Sequence, residues 1–551
     1  MAILSELDTN IPSSWQKTAL LKDDLRQKLP PCRVALCFIF QSHNVDRDQS
    51  KSQKPNSAQV RENDRTQLPC RPLAPVLGII KDNTVGPLDA AWKAIEEQSA
   101  IPLASLSVYR YGKSFLSDAP SLGRRCIFYP FAFRLKTRAD VGVEGERSRL
   151  NHRSYNLDAR HSVSFGRVED HVLEEGFRKI WFEVDLGPIP GRILASGLKQ
   201  LQRDHESGAR KLAAISLNIL KAVLAHLDDP ITQGGPWWRK ARMAAWHLWK
   251  NGRQSMDAAI LSFLLMTLTE LEASLSVINS EDTCRSLHLS DVFDNIQKTI
   301  RSYKTRISNN FGSYVISKIN ASNQKPTKLK IMTLSASCTI RECIVQIVRM
   351  SGVQSIEICV LESRPLFEGV SLASSLLECF ENEPSFPKVH VSICTDASVA
   401  LAAKETDFLL LAADRIAADG SVSNKTGSLP AALCVRHMSP SAEIIVVSEI
   451  DKVAMQSCDT EAHTMENNES AEIVDAWQQS ESIKGLNIVE HQLQRKHRQI
   501  TVDVPNVYFE WVPPTLIDAY ICEDGITSPT NFQKRSQWIK EQCERHFDNS
   551  L

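Results

Sequence analysis

The last third of the chain alternates short apolar runs with helix-length segments, and this alternation restricts the fold more than any other feature of the sequence. Strands that alternate with helices form parallel sheets with right-handed crossovers. We therefore predict an α/β fold whose last domain is Rossmann-like. The predicted strands cover residues 329–335, 356–362, 389–395, 408–413 and 444–447.

A carboxylate follows the fourth of these strands. Asp414 comes directly after the apolar run 408–413, and ligands of open α/β sheets bind at the carboxyl ends of strands. Asn424 and Lys425 then precede a glycine-containing turn and an apolar helix at 429–437, whose N-terminal N–H groups suit a phosphate. The alternative interpretation is a solvated Asp-Gly turn followed by a capped helix.

The chain of 551 residues is too long for one core, so two or three domains are expected. Leucine and alanine recur at helical spacing in 188–322, which predicts a helical domain there. Residues 28–187 form a predicted α/β domain interrupted by a polar, flexible insertion at 41–73. The Rossmann-like domain spans 323–551, and its polar segment 457–480 is expected to be a disordered insertion.

The amino-acid composition restricts the kinds of partner that the protein can bind and the cellular compartment in which we expect it. The 64 Lys and Arg residues nearly cancel the 65 Asp and Glu residues, which argues against a nucleic-acid or anionic-membrane surface. The 14 cysteines are scattered without a Cys-x-x-Cys pair, as is typical of a reducing compartment. Since no apolar run approaches the roughly 20 residues that span a bilayer, we expect a cytoplasmic protein with no membrane partner.

Three motifs occur in an order that resembles one superfamily. They are Glu-Ser-Arg-Pro-Leu-Phe-Glu-Gly at 362–369, Ala-Ala-Asp-Arg-Ile-Ala-Ala-Asp-Gly at 412–420, and Val-Pro-Pro-Thr-Leu-Ile-Asp-Ala at 512–519. The superfamily comprises methylthioribose-1-phosphate isomerase, archaeal ribose-1,5-bisphosphate isomerase and the alpha, beta and delta subunits of eukaryotic translation initiation factor 2B. The resemblance covers about residues 188–551. It implies a phosphorylated small-molecule ligand, an isomerase reaction of the kind used in L-methionine salvage, and a homodimer or an assembly with a related subunit.

The resemblance also implies site residues. The aspartate of the isomerases corresponds to Asp414, and their Asn-Lys pair corresponds to Asn424 and Lys425. Ser335 takes the place of their cysteine, with Cys338 as an alternative thiol three residues later. A serine hydroxyl is far less acidic than a thiol, so it needs a strong neighbouring base to transfer a proton.

Four further residues complete the predicted ligand site. Gly208 and Ala209 match the end of an Arg-Gly-Ala motif of the isomerases, and Arg242 matches an arginine that precedes an amphipathic helix. Glu368 stands where the enzymes carry a glutamine that meets sugar hydroxyls. A carboxylate at this position accepts hydroxyl hydrogen bonds but repels a nearby phosphate.

The segment 88–101 resembles the metal-binding helix of a Nudix box. The box needs several carboxylates on one helix face to hold Mg²⁺. Lys93 replaces the arginine of the box, Ala94 and Gln98 replace two of its glutamates, and Glu97 alone remains. We therefore expect a Nudix-like fold without hydrolase activity, and no cofactor for the chain unless this box still binds Mg²⁺.

Three functions stay open on the sequence. The first is a divergent aldose–ketose sugar-phosphate isomerase fused to the Nudix-like domain. The second is a regulatory or scaffold protein like the initiation-factor subunits, which Ser335 favours and Asp414 opposes. The third is a Nudix hydrolase regulated by its C-terminal module.

Overall fold

The computed structural model divides the chain into two compact units, Met1–Arg192 with Asp548–Leu551, and Ile193–Phe547. The structure describes residues 31–40, 75–81, 85–99, 101–119, 124–136, 169–204, 207–229, 231, 234–277, 285–321, 326–381, 387–455, 467–468, 470–479, 483–494, 500, 502–548 and 551. The predicted flexible insertion 41–73 lies outside the described residues.

The first unit is built on a five-stranded mixed sheet. Its strands are β1 (Cys32–Phe40), β2 (Val76–Ile80), β3 (Leu106–Tyr111), β4 (Phe115–Ala119) and β5 (Arg124–Leu135). The order is β2-β1-β5-β3, with β4 paired to one part of β5. β1 and β5 run parallel, and β2, β3 and β4 pair antiparallel to their neighbours.

Helices cover both faces of this sheet. Alternate residues of β1 point to opposite sides, so Leu36 and Phe38 belong to one core and Cys37 and Ile39 to the other. Helix α1 (Pro87–Gln98) packs on the Cys37 side. Helices α2 (Asp170–Ile180) and α3 (Glu183–Leu186) follow the last strand, and α2 packs on the Leu36 side. The unit is thus a helix–sheet–helix sandwich, and its Nudix-like character stays a prediction.

The second unit begins with a bundle of long helices, as the helical periodicity predicts. The helices are α4 (Pro188–Arg203), α5 (Ala209–Leu224), α6 (Pro236–Asn251), α7 (Asp257–Val277) and α8 (Arg285–Ala321). Helix α7 and the turn before it, over Gln254–Leu275, are long and apolar enough to cross a membrane. This helix packs against α5, α6 and α8, and 67% of its apolar window is buried, as in the core helix of a bundle.

A seven-stranded sheet forms the rest of the second unit. Its strands are β6 (Lys328–Leu334), β7 (Ser355–Leu361), β8 (Lys388–Cys394), β9 (Phe408–Leu411), β12 (Glu443–Val447), β16 (Ala519–Cys522) and β17 (Gly525–Thr527). The order is β17-β16-β12-β9-β6-β7-β8, and all neighbours are parallel except β16 and β17. The six parallel strands therefore run 3-2-1-4-5-6 from β8 to β16, the strand order of a Rossmann fold.

Helices and small sheets surround this sheet. The helices are α9 (Cys338–Met350), α10 (Glu368–Glu381), α11 (Val399–Ala402), α12 (Ser428–Met438) and α15 (Pro529–His546). A three-stranded antiparallel sheet joins β10 (Arg415–Ile416), β11 (Val422–Lys425) and β15 (Phe509–Val512).

Part of the segment predicted to be disordered is folded. Within 457–480 the structure contains β13 (Asn467–Asn468), paired to β14 (Asn506–Val507), and helix α13 (Ala471–Gln478), which is followed by α14 (Leu486–Gln494). The prediction of disorder is therefore wrong for these residues. Glu472 of α13 accepts hydrogen bonds from Asn506 and from the hydroxyl of Tyr508, and such long-range contacts leave no signal in local composition.

Candidate functional site at the switch point of the sheet

The strand order reverses between β6 and β9, which are neighbours in the sheet. In open α/β sheets a crevice opens outside the carboxyl ends of the strands at such a point. Ser335 directly follows β6, and Asp414 follows β9 by three residues. The topology therefore brings both predicted catalytic positions to one edge of the sheet.

The backbone is strained at this edge. Ser335 and Ser363 have φ values of 61° and 60°, in the left-handed region that residues with a Cβ rarely adopt. The N–H of Ser335 donates to Oγ of Ser363 at 2.8 Å, and the N–H of Ser363 donates to Oδ1 of Asp396 at 2.9 Å. Such strain costs about 1–3 kcal/mol for each residue and is concentrated at functional sites.

Glu368 joins Ser335 to Lys425. Its Oε1 lies 2.9 Å from Nζ of Lys425, and its Oε2 lies 3.5 Å from Oγ of Ser335, at the outer limit of a hydrogen bond. Glu368 is the first residue of α10, and the next residue must be glycine. A Cβ on Gly369 would stand 1.8 Å from the carbonyl oxygen of Leu361. The close approach of α10 to β7 therefore sets the position of the Glu368 carboxylate.

Lys425 is held from several sides. It lies at the end of β11 and is buried, and its Nζ stands 4.3 Å from the ring centre of Tyr508 and 5.4 Å from that of Phe509. Aromatic faces attract an ammonium group, most strongly when water is excluded. The Lys425 side chain thus lies between these two aromatic rings and the Glu368 carboxylate.

Asp414 is a carboxyl group with an altered acidity. Burial raises its pKa, and Glu368 acts in the same direction, while Lys452, Lys425 and Arg253 oppose the rise. The net change is upward, so Asp414 holds its proton at a higher pH than an ordinary aspartate. A carboxyl group in this state can donate a proton to a bound ligand.

A second ionic chain lies at the end of β12. Glu449 contacts Arg210 and lies 3.1 Å from Nζ of Lys452. Burial would raise the pKa of Glu449, but these two cations outweigh it and lower the pKa to about 2. Lys452 also donates to the carbonyl of Ala413 at 2.6 Å, directly beside Asp414. The sequence analysis missed this chain because its members are far apart in sequence.

Arg253 is a second missed cation. It is buried, its Nε donates to Oγ of Ser255 at 3.1 Å, and it also donates to the carbonyl of Asp204. Its positive charge opposes the rise in the pKa of both Asp414 and Tyr508.

Arg242 lies inside a helix rather than before one, and its role in the ligand site stays a prediction. Arg242 lies inside α6, buried, with Nη1 donating to the carbonyl of His546 at 3.2 Å. Pro236 occupies the first turn of α6, so the helix starts before Arg242 rather than after it. Arg253 instead precedes a helix, since the turn Gln254–Met256 and then α7 follow it.

The other predicted residues have mainly local contacts. Asn424 is buried and donates from its amide to Oγ of Ser428 at 2.9 Å. Gly208 and Ala209 begin α5, next to Arg210. Cys338 is exposed at the start of α9.

The N-terminus of α12 does not offer the free N–H groups that the sequence predicts for a phosphate. The carboxylate of Glu510 accepts hydrogen bonds from the N–H of Gly427 at 2.6 Å and from that of Leu429 at 3.0 Å. An anion supplied by β15 therefore already caps this helix.

The remnant of the Nudix box shows no metal-binding arrangement. Glu97 is exposed and lies 4.0 Å from Lys93, while Ala94 is buried against β2. The amide of Gln98 donates to the carbonyl of Leu77 at 2.6 Å. Within the ranges that the structure describes, no group of three or more His, Cys, Asp or Glu residues is placed to hold a metal ion.

Comparison with known proteins places the C-terminal part in a family. The model of the "Initiation factor 2 subunit family" matches residues 255–529. Methylthioribose-1-phosphate isomerase of Pelotomaculum thermopropionicum is 30% identical over 172 residues, which are 30% of this chain and 40% of that protein. The isomerase of Synechococcus sp. is 27% identical over 171 residues, 30% of this chain and 43% of that protein. The chain thus spans about two fifths of the length of these curated relatives.

Solved structures of similar proteins include initiation factors. Translation initiation factor eIF-2B of Pyrococcus horikoshii is 19% identical, with a TM-score of 0.42, over 61% of this chain and 98% of that one. The beta subunit of eIF2B from Chaetomium thermophilum is 13% identical, with a TM-score of 0.42, over 67% of this chain and 96% of that one.

The family match and the two isomerase relatives confirm the superfamily resemblance for the C-terminal part, while the resemblance of the N-terminal part to Nudix proteins stays a prediction. The C-terminal part of the chain carries a domain of the initiation factor 2 subunit family, and methylthioribose-1-phosphate isomerases are among its relatives.

Proposed function

We propose that the second unit binds a phosphorylated sugar at the switch point of its sheet and isomerises an aldose phosphate to a ketose phosphate. The observation that carries this proposal is the meeting of Asp414, Glu368, Ser335 and Lys425 at one strained edge. Enzymes that move a proton between neighbouring atoms commonly use two carboxyl groups in different environments.

We place the phosphate against Arg253 and Lys425. Both cations act on Asp414, so an anion held between them lies beside the reacting groups. Arginine binds phosphate well because its planar guanidinium group presents several donors at once. The α12 N-terminus, which Glu510 caps, is not part of this phosphate site.

Ligand binding can be tested by thermal shift, because a ligand that binds only the folded state raises the melting temperature. We expect methylthioribose 1-phosphate to stabilise the protein. Arg253→Gln and Lys425→Ala should each weaken binding about 10- to 150-fold, since a charge-assisted hydrogen bond contributes roughly 1.5–3 kcal/mol. Arg242→Gln is the matched control: it removes a buried arginine of the same unit, and the ligand-induced shift should remain. Equal loss in all three variants would contradict this placement.

A regulatory role is the second candidate, and Ser335 favours it. If Ser335 cannot transfer the proton that the thiol transfers in the isomerases, the second unit binds the sugar phosphate without converting it. The bound sugar phosphate is then a signal through which the unit controls a partner. Binding of methylthioribose 1-phosphate without conversion to a ketose would identify this function.

We also propose that two copies of the chain, or this chain and a related subunit, assemble through the β8 edge of the sheet. Among the residues that the structure describes, β8 is the edge strand of its sheet. Val370, Leu377 and Ile393 expose 41%, 45% and 47% of their surface on α10 and β8. An open strand edge with apolar neighbours favours association. Light scattering should return twice the chain mass of 61.7 kDa, and a Leu377→Glu variant should shift it toward the monomer. A monomeric mass for the native protein at micromolar concentration would reject self-association.

A further inference from the structure

The Glu368 carboxylate occupies a position that the proposed isomerase reaction leaves without a base. The thiol of the related isomerases is replaced by Ser335, whose hydroxyl has a carboxylate at 3.5 Å. The same carboxylate contacts Lys425 at 2.9 Å and is fixed in place by the start of α10. It also stands close enough to Asp414 for its charge to act on that group.

The geometry points to Glu368 as the second proton-transfer group of the site, with Asp414 as the first and Ser335 as a hydroxyl that orients the Glu368 carboxylate. This inference rests on the proposed function. The substrate class is a furanose 1-phosphate, because its ring oxygen and its C2 hydrogen are the two places where a proton must be added and removed.

The reaction then needs no oxidant, reductant or metal. The Asp414 carboxyl group gives its proton to the ring oxygen as the bond between that oxygen and C1 breaks. The Glu368 carboxylate takes the proton from C2, and the electron pair of the C2–H bond forms the C1=C2 bond of an enol phosphate.

The second half restores both groups. The Asp414 carboxylate takes the proton of the C2 hydroxyl as the C2 carbonyl forms, and Glu368 returns a proton to C1. The phosphate stays on C1, so the product is a ketose 1-phosphate with the same atoms as the substrate.

The different surroundings of the two carboxyl groups suit these opposite tasks. Burial raises the pKa of Asp414, which favours the protonated form that the first step needs. Glu368 is paired with the Lys425 ammonium group and acts as a carboxylate. Each group positioned in this way typically contributes about 10²–10⁴-fold to the rate.

The test uses the full chain and methylthioribose 1-phosphate in D₂O, with the product followed by proton NMR. Since a proton on a carboxyl group exchanges with solvent, the native protein should place deuterium on C1 of the ketose. Glu368→Gln should lower turnover about 10²–10⁴-fold, while Glu368→Asp should keep part of it. Binding should be kept or strengthened in Glu368→Gln, because the change removes a negative charge near the phosphate.

Glu362→Gln is the matched control, since Glu362 lies six positions earlier and pairs with Arg364 instead of Lys425. Its turnover should equal that of the native protein. Two results would overturn the role of Glu368 while the proposed isomerase function stands: a ketose without deuterium, or full turnover in Glu368→Gln. Binding without turnover in the native protein would overturn the proposed isomerase function together with the inference. If methylthioribose 1-phosphate and other pentose phosphates fail to bind the native protein, the proposed function falls together with the inference.

Discussion

Glu523 is a buried carboxyl group that makes the stability of the second unit depend on pH. It follows β16 and is 4% exposed, and its Oε2 accepts a hydrogen bond from the N–H of Ile450 at 3.1 Å. Burial, with a further contribution from Asp451, raises its pKa from 4.5 to about 7. Because the folded-state pKa is raised, the folded protein binds this proton more tightly than the unfolded chain.

The resulting stability is fully present below pH 4.5 and is lost as the pH rises through 7. The shift in the pKa of Glu523 corresponds to a loss of about 3 kcal/mol in the free energy of unfolding at pH 8. We expect Glu523→Gln to be more stable than the native protein at pH 8 by about this amount, and nearly equal to it at pH 4.5. Urea unfolding at the two pH values measures the difference. Asp524→Asn, which changes an exposed neighbour, should show little of it. A stability difference independent of pH would contradict the account.

At the scale of elements, the strands that could be predicted are those whose apolar residues follow one another in the sequence. The apolar runs that form β6, β7, β8, β9 and β12 are visible without any partner, and the structure confirms all five strands. β16 was not predicted, because its four residues, Ala519–Cys522, become a strand only by pairing with β12 and β17.

The residues of the candidate site could likewise be predicted only where the local sequence determines their position. Ser335 and Asp414 were placed at strand ends by the local pattern, and the strand order brings them to one edge. Glu510, in contrast, caps α12 from more than eighty residues away, and the phosphate expected at that helix had no local signal against it. Arg253 and Glu449 were missed for the same reason, since their significance depends on folded neighbours.

At the scale of the whole molecule, the charged groups of the candidate site lie in the second unit, at the point where the strand order of its sheet reverses. The helical bundle supplies Arg210 and Arg253 to the carboxyl edge, and the sheet supplies Asp414, Glu449 and Lys452.

The central claim is that this edge isomerises a sugar phosphate, and phosphorus-31 NMR of methylthioribose 1-phosphate mixed with the full chain tests it most directly. A phosphate on the anomeric carbon of the furanose and one on the CH₂ group of the ketose give separate resonances. We predict that the native protein converts the first resonance into the second, and that Asp414→Asn lowers the rate about 10²–10⁴-fold by removing the proton donor. An unchanged spectrum with the native protein, or equal conversion by Asp414→Asn, would contradict the claim.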